Sequence, residues 1–378
     1  MTNPILPGAT LGVLGSGQLG RMFAIAARRL GYRVHVYSPD VNTPAGQVSD
    51  REFSAAYDDL GQLAEFARSV DVVTFEFENV PAEVTDCIQK YCPVHPSGYV
   101  LSVAQNRIRE KSTLRDAGLA VPEFREVTTA EELHAAVSEL GTPSVVKTAS
   151  SGYDGKGQAV VHNVDEVEEI WAELATDQAI LEQFVDFDCE LSVVGARNVR
   201  GDIVHYGPFL NAHTNHILDV TLCPSGLPGD VNARAIKVAR QVFDCLDVIG
   251  VLCVELFVTK DGQVLINEIA PRPHNSGHLT IDAHNTCQFE QQVRAICGFP
   301  LGDASQHTNA AMANVLGDVW NDAEPNWSEL LATDVKLHLY GKAEARPGRK
   351  MGHITAFGNS INDADRTVRE ARDSLLNK

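Results

Sequence analysis

Short apolar runs alternate with helical stripes over the first hundred residues. The runs TLGVLG, YRVHVYS and DVVTFEF predict strands. Between the first two, apolar side chains recur at Leu19, Met22, Phe23, Ala26 and Leu30, which is the spacing of one buried helix face. Because strands and helices alternate in this order, we expect a parallel sheet with helices packed against it.

The pattern changes twice further along the chain. The polar segment QNRIREKSTLRDAGLAVPEF predicts a linker helix that Gly118 ends and Pro122 follows. Beyond it come the strand PSVVKT, the glycine-rich stretch SSGYDGKGQ, a strand near AILEQFV and a long hairpin over residues 250–270. After residue 300, short strands and turns such as VKLHLYGK and ARPGRKMGHITAFG predominate.

The length of 378 residues exceeds what a single hydrophobic core usually organises. We therefore expect an α/β protein of two or three packed domains, and the sequence pattern favours three. The predicted domains are a Rossmann-like N-terminal domain at residues 1–106, a central domain at 107–300 and a small β-rich C-terminal domain at 301–378.

The charge balance restricts the possible partners. Lys and Arg number 31 against 50 Asp and Glu, a net charge of −19, which repels nucleic acid and anionic membranes over most of the surface. An anionic small substrate then needs a local group of cations or a metal. The start MTNPILPGATLGVLG lacks the pattern of a leader, no apolar run is long enough to span a membrane, and the eight cysteines form no C-x-x-C pair. We expect a cytoplasmic protein with free thiols.

A glycine motif follows the first predicted strand. The sequence GSGQLG at residues 15–20, with Asp40 near the end of the next strand, satisfies a dinucleotide fingerprint locally. The same glycines suit any anion at a helix N-terminus, or a tight turn alone, and we favour an anion other than NAD. Glu76 and Glu78 follow a later strand, where ligands of open α/β sheets bind, although a solvated strand end is the alternative.

The hairpin over residues 250–270 predicts a metal site. A two-residue turn at Asp261-Gly262 places Glu255 directly opposite Glu268 among apolar residues. Two facing carboxylates repel each other, so we expect a divalent cation to compensate, with Mg²⁺ taking phosphate oxygens as its other ligands. The alternative is two exposed glutamates on an edge hairpin. Asn267 can join these ligands only if a β-bulge turns it to the same face.

The stretch SSGYDGKGQ has the composition of a phosphate-binding loop. Its glycines can present backbone N–H groups, but the Walker A spacing is missing. Lys147 ends the strand before it, either as a phosphate ligand or as a surface lysine. Lys111 and Arg115 continue the helical spacing from Arg107 and are expected on a solvated face.

Two histidines close to the hairpin, His274 and His278 of RPHNSGH, could suggest a transition-metal site. No third ligand lies at a fitting spacing, so we do not expect such a site there.

These segments together resemble a known family. The order of GSGQLGRM, VVKT, SSGYDGKGQ, LEQFV, INEIAPRPHNSGH and RPGRKMGHIT resembles the ATP-grasp superfamily, and closely resembles its N(5)-carboxyaminoimidazole ribonucleotide synthetase family. The resemblance covers nearly the whole chain. It implies an ATP-grasp fold behind a pre-ATP-grasp domain, and ATP-dependent carboxylation of aminoimidazole ribonucleotide by bicarbonate in purine biosynthesis.

The resemblance also implies a nucleotide site. Its residues are Arg107, Lys147, Gly152, Tyr153, Asp154, Gly155, Lys156, Gly157, Gln158, Glu182, Gln183, Phe184, Val185, Glu190, His213, Asn267 and Glu268. Within this set, Arg107 and Lys147 are expected at the ATP phosphates. Glu182 and the Val185 backbone are expected at adenine, and Glu190 at ribose. Glu255 and Glu268 are expected to hold Mg²⁺, with Mn²⁺ as the alternative.

For the second substrate, the resemblance implies a site made by residues from both ends of the chain. They are Gln18, Leu19, Glu76, Asn275, Lys342, Arg349 and Lys350. The segment from Lys342 to Lys350 is an ordinary basic turn or a phosphate site, and its four cations in a strongly acidic chain favour phosphate.

The implied reaction has two steps. Bicarbonate attacks the γ-phosphate to give carboxyphosphate, which then carboxylates the ribonucleotide amine. Tyr153 and Asp154 are expected beside that amine, with Asp154 as the base, while Lys350 positions substrate phosphate or carboxylate. The resemblance further implies a homodimer and transfer of the product to a mutase. The alternatives are a formate-dependent glycinamide ribonucleotide formyltransferase, an NAD-dependent oxidoreductase and a non-catalytic nucleotide-binding regulator.

Overall fold

The computed structural model describes residues 3–150, 152, 156–320 and 323–376. Within those residues the strands are β1 Thr10–Leu14, β2 Arg33–Ser38, β3 Arg51–Ser54, β4 Val72–Phe75, β5 Phe124–Val127, β6 Ser144–Thr148, β7 Gln158–Val161, β8 Ala179–Gln183, β9 Phe187–Arg197, β10 Ile203–Thr214, β11 Ile217–Cys223, β12 Gly250–Thr259, β13 Val264–Ala270, β14 Asn309–Leu316, β15 Val335–Leu339 and β16 Lys350–Gly358. The helices are α1 Gln18–Arg29, α2 Leu60–Arg68, α3 Ala82–Ile88, α4 Gly98–Ala104, α5 Arg107–Asp116, α6 Ala130–Leu140, α7 Val167–Leu174, α8 Gly229–Leu246, α9 Thr280–Ala283, α10 Gln288–Ile296, α11 Trp327–Leu331 and α12 Ile361–Asp373.

The N-terminal part contains the predicted parallel sheet. Its strand order is β3-β2-β1-β4, and all three strand pairs are parallel. Leu19, Met22, Phe23 and Ala26 of α1 are buried against β1 and β2 in one apolar cluster, as their helical spacing predicts. Helix α10 adds Phe289 to the same cluster, so the N-terminal sheet and the central region share a core.

The central region consists of two antiparallel sheets. Strands β5-β8-β6-β7 form the smaller sheet, and the larger one has eight strands in the order β13-β12-β9-β10-β11-β14-β16-β15. The last three strands of the chain therefore extend the central sheet instead of forming a sheet of their own. Pairing of β11 with β14 gives the edge of β11 a partner and satisfies its backbone groups.

Helix α5 lies at the junction of these sheets. The Asn106 side chain caps its start by accepting from the Arg109 N–H at 3.0 Å, and Gly118, at φ +78°, follows its end, as the sequence predicts. Ile108 packs with Phe124 and Ile180 of the smaller sheet. The helix also contacts β13 of the larger sheet, so it connects the two.

None of the helices in the described residues combines the length and apolar character needed to cross a membrane.

Candidate active site

The β12–β13 hairpin carries the predicted pair of facing carboxylates. Glu255 pairs directly with Glu268, but the register shifts next to them, and Asn267 is the extra residue of a β-bulge. The predicted two-residue turn is wrong, because Val258 pairs with Val264 and five residues separate them. The longer turn shifts the register by one residue, and the bulge shifts it back, so the facing pair is nevertheless as predicted.

The two glutamates differ in their surroundings. The Glu255 side chain is 14 % exposed and one of its oxygens lies 2.8 Å from Nε2 of His274. Burial alone would raise the pKa of Glu255, but the contact with His274 and the nearby His213 lower it to about 2. Glu268 is solvent-exposed and lies near Arg107 and Lys147, and the space between these three side chains is the cleft referred to below. Desolvation and the charge of Glu255 raise the pKa of Glu268.

This arrangement fits a magnesium ion that shares its ligands with a nucleotide. No three His, Cys, Asp or Glu side chains converge as a preformed metal cage within the described part of the chain. Mg²⁺ is usually held by one or two carboxylates plus phosphate oxygens, and the repulsion that raises the pKa of Glu268 is relieved by a cation. Glu255 and Glu268 therefore suit the role that the sequence predicts for them.

A polar chain orients His274, which sequence reasoning set aside. Its Nδ1 lies 2.8 Å from the Ser276 hydroxyl, which accepts at 2.7 Å from Ser192. The Asn211 amide in turn donates to Ser192 at 2.9 Å. The imidazole is thus fixed from behind while its other nitrogen faces Glu255. The sequence signal was present, since His274 lies four residues after the end of β13, but spacing gave no indication of a carboxylate partner.

A buried carboxylate with two lysine partners lies across the cleft. Glu182 Oε2 lies 2.6 Å from Nζ of Lys147, and its Oε1 lies 3.5 Å from Nζ of Lys111. Burial would raise the pKa of Glu182, but the two ammonium groups lower it to about 2. Because both carboxylate oxygens face lysines, the main chain of Glu182 is what remains for the predicted contact with adenine.

The prediction that Lys111 lies on a solvated face is wrong. Its side chain is 1 % exposed, and Nζ donates to the carbonyls of Ile266 at 3.0 Å and Asn267 at 2.5 Å. Arg115, one turn later, is 56 % exposed as expected. The helix is polar on a buried face because that face meets backbone carbonyls and a carboxylate, which a helical pattern alone does not reveal.

Glu110, beside Lys111 on α5, is another buried charged residue that the sequence did not single out. Its side chain is 2 % exposed and Oε1 has no hydrogen-bond partner. Burial raises the pKa of Glu110 to about 8, with Lys111 opposing and Glu268 adding to the shift.

The glycine-rich loop starts at the phosphate side of this cleft. Arg107 donates to the carbonyls of Thr148 at 3.3 Å and Gly152 at 3.0 Å, which anchors the beginning of the loop. Lys156 and Gly157 lead into β7, whose first residue, Gln158, pairs with Lys147. The predicted residues Tyr153, Asp154 and Gly155 lie outside the described residues.

The predicted ribose and adenine residues border the same cleft. The Glu190 carboxylate lies 2.7 Å from Nδ1 of His213. Burial would lower the pKa of His213, but this hydrogen bond raises it. Gln183 and Val185 flank Phe184, whose side chain is 43 % exposed, in the segment between β8 and β9. An exposed aromatic ring beside a cleft is suited to cover a planar base.

A second cavity, of about 450 Å³, lies in front of the N-terminal sheet. Its walls include Gly17 and Asp40 from the front of the chain, Glu76 from the end of β4, and Lys342 and Arg349 from the C-terminal part. The structure thus brings Glu76 together with Lys342 and Arg349, which follow it by more than 260 positions and which the sequence analysis assigned to the same substrate. The cations at Lys342 and Arg349 make this cavity suitable for a phosphate group.

Within this cavity Glu76 occupies the anion position at the start of α1. Its carboxylate accepts from the N–H groups of Gly17 and Gly20, the latter at 2.9 Å. The N–H groups that a pyrophosphate would need are therefore taken by a side chain of the protein itself. Glu78 points elsewhere and forms a two-point ion pair with Arg272, at 2.5 and 3.0 Å.

The other predicted substrate residues are not among those that line this cavity. Leu19 is buried in the core, so only its main chain is available, and Gln18 begins α1 beside it. Asn275 exchanges two hydrogen bonds with Asn314, at 3.0 and 2.8 Å. Lys350 begins β16, and its carbonyl accepts from Nζ of Lys342 at 2.7 Å.

Comparison with known families agrees with this architecture. Residues 8–105 match the ribonucleotide synthetase preATP-grasp domain, residues 112–289 the ATP-grasp domain, and residues 310–367 the phosphoribosylaminoimidazole carboxylase C-terminal domain. The N5-carboxyaminoimidazole ribonucleotide synthase of Bacillus subtilis is 42% identical over 374 residues, which cover 99% of this chain and 97% of that protein. The chain belongs to the N5-carboxyaminoimidazole ribonucleotide synthase family.

Solved structures of this family share the fold. A crystal structure of an ADP complex of an N5-carboxyaminoimidazole ribonucleotide synthetase matches with a TM-score of 0.93 and 40% identity, covering 99% of this chain and 100% of that one. The Aspergillus clavatus enzyme in complex with ADP and 5-aminoimidazole ribonucleotide matches with a TM-score of 0.88 and 28% identity, covering 97% of this chain and 98% of that one. The family and the fold class expected from the sequence are confirmed.

Proposed function

We propose that this protein uses ATP to carboxylate 5-aminoimidazole ribonucleotide with bicarbonate, forming N5-carboxyaminoimidazole ribonucleotide, ADP and phosphate in purine biosynthesis. The observation that carries the proposal is the presence of two sites in one molecule. One is the cleft with Lys147, Glu255 and Glu268, and the other is the cavity that Lys342 and Arg349 line. Together they suit an ATP-dependent ligase that joins bicarbonate to a phosphorylated amine.

In the first step, bicarbonate attacks the γ-phosphate of ATP in line and forms carboxyphosphate and ADP. Lys147, oriented by Glu182, is placed to neutralise charge that develops on the transferring oxygens. Glu255 and Glu268 would hold Mg²⁺, which when bound screens the nucleotide phosphates. Arg107 donates to the Gly152 carbonyl at the start of the glycine-rich loop.

In the second step, carboxyphosphate transfers its carboxyl group to the exocyclic amine of the ribonucleotide, and phosphate leaves. The amine must lose a proton as the C–N bond forms. We propose that Asp154 accepts this proton, with Tyr153 beside it. Lys350, close to both the cavity and the nucleotide cleft, positions the phosphate or carboxylate that passes between them. Closure of the glycine-rich loop over this region would exclude water, which would otherwise hydrolyse carboxyphosphate.

A substrate panel tests this function. Purified protein is given ATP with aminoimidazole ribonucleotide and bicarbonate, or with glycinamide ribonucleotide and formate, and phosphate release and product are measured together. We expect turnover only with the first pair. Turnover with formate would instead assign the chain to the formyltransferase reaction, and NAD reduction in a parallel control would support an oxidoreductase.

We further propose a homodimer in the cytoplasm that passes its product to a mutase. This proposal is supported by the membership of the chain in the family, for which the resemblance implies a homodimer and transfer of the product to a mutase. Light scattering of the purified protein measures the oligomeric state directly, and a monomer at assay concentration would rule out the dimer.

A further inference from the structure

One ammonium group connects the two antiparallel sheets at the nucleotide cleft. Nζ of Lys111 contacts the carbonyls of Ile266 and Asn267 on β13, in the larger sheet. It also lies 3.5 Å from Oε1 of Glu182 on β8, in the smaller sheet. An ammonium carries three N–H donors, and three oxygens lie within 3.5 Å of this one. Burial lowers the pKa of Lys111, while the nearby Glu182 carboxylate opposes that shift and favours the charged form of the side chain.

The charges around Glu182 do not cancel. Lys147 and Lys111 share this single carboxylate, so the group of three carries a net charge of +1. Without Lys111, Lys147 and Glu182 would form a neutral pair, and Lys147 would attract phosphate less strongly. The side chain of Lys111 is 1 % exposed, against 15 % for Lys147, so only Lys147 faces the cleft.

The contact of Lys111 with β13 also supports the strand that carries Glu268. Asn267, whose carbonyl Lys111 binds at 2.5 Å, is the bulge residue that restores the pairing of Glu255 with Glu268. A bulge leaves backbone groups without ladder partners, and these need other hydrogen bonds when they are buried. Lys111 supplies one of them beside the carboxylate that is expected to bind metal.

We propose that Lys111 is a positioning residue for the nucleotide phosphates, which leaves Lys147 with a surplus positive charge and fixes the bulge beside Glu268. The inference rests on the nucleotide site of the proposed function, but not on the carboxylation step. Its distinguishing consequence is electrostatic. Loss of the Lys111 charge should lower the binding affinity for a nucleotide in proportion to its phosphate charge. A merely structural role would lower the affinity for all nucleotides by the same factor.

The experiment measures ATP, ADP and AMP binding by calorimetry in EDTA, so that no metal contributes. For Lys111→Met, which keeps the length of the side chain and removes the charge, we expect ATP affinity to fall about tenfold, because one unit charge acts on several phosphate charges at moderate distance. ADP should lose less, and AMP should change by less than about twofold.

Two variants complete the design. Arg115→Met removes a cation from the exposed face of the same helix and should leave all three affinities unchanged. Lys111→Gln retains donors for the two carbonyls while removing the charge, so it should fold and show the same graded loss if Lys111→Met does not fold. Thermal unfolding of each variant verifies the fold.

An equal loss of affinity for ATP, ADP and AMP in the Lys111 variants would overturn the inference, and so would unchanged affinities. Wild-type protein that binds ATP with a graded loss in the variants, yet forms no carboxylated product, would refute the proposed function and support the role of Lys111. The two failures are therefore distinguishable in one set of samples.

Discussion

Replacing Glu268 by Gln separates the metal argument from ordinary stability effects. The substitution keeps the shape of the side chain and removes one of two facing charges. Like charges directly opposite each other in a sheet cost about 0.2–1 kcal/mol. Since Glu268 opens onto the cleft and His274 already compensates Glu255, we expect a gain of less than about 1 kcal/mol, or at most about 2 °C in Tm.

Activity should respond in the opposite direction. Loss of one metal ligand and its charge should lower kcat for phosphate release at least about 10²-fold, as for other groups that stabilise charge in the transition state. The assay compares phosphate release and thermal unfolding, each with and without Mg²⁺. Glu173→Gln, at an exposed position on α7, is the matched control and should change neither. A Glu268→Gln protein with normal Mg²⁺-dependent turnover, or one clearly less stable without metal, would refute the reasoning.

Three further predictions follow from the same geometry. Gly17→Ala would place a Cβ 2.8 Å from the Glu76 carboxylate, so KM for the ribonucleotide should rise far more than KM for ATP in steady-state kinetics; an equal rise would contradict this. His274→Gln removes the main one of several contacts that lower the pKa of Glu255 to about 2, a contribution to stability that is present above pH 4.5 and lost as the pH falls towards 2; urea unfolding should show a less stable variant at pH 7 whose stability changes less over that window, and parallel curves would contradict it. Asp154→Asn should lower carboxylated product by about 10²–10⁴ while phosphate release persists, and equal modest losses in both with weaker ATP binding would exclude a base at this position.

Local signals predicted the parts of the molecule that depend on neighbouring residues. The helix face with Met22 and Phe23 and the end of α5 near Gly118 follow from periodicity and from a turn residue. Glu255 faces Glu268 for a less direct reason, since the longer turn shifts the register by one residue from the predicted one and the bulge at Asn267 shifts it back. A bulge has no clear sequence signature here.

Contacts between distant segments could not be predicted in this way. Lys111 on α5 contacts Glu182 of the smaller sheet, which lies 71 positions later in the chain. Along the sequence, helix α5 shows only a polar pattern. The glycines at residues 15–20 predicted a ligand at the start of α1, but the Glu76 carboxylate occupies that anion position and binds the Gly20 N–H across 56 positions of the chain. Likewise, nothing in the local pattern of β14 indicates that it pairs with β11. In each case the partner is determined by tertiary packing and not by neighbouring residues in the sequence.

Transfer of oxygen from bicarbonate to phosphate tests the central claim most directly. If bicarbonate attacks the γ-phosphate, one of its oxygens becomes the bridging oxygen of carboxyphosphate and leaves with phosphate when the carboxyl group is transferred. With freshly dissolved ¹⁸O-bicarbonate, ATP and aminoimidazole ribonucleotide, mass spectrometry should show one ¹⁸O atom in the phosphate released for each carboxylated product. Phosphate that carries no ¹⁸O, formed at the same rate as product, would contradict activation of bicarbonate by ATP.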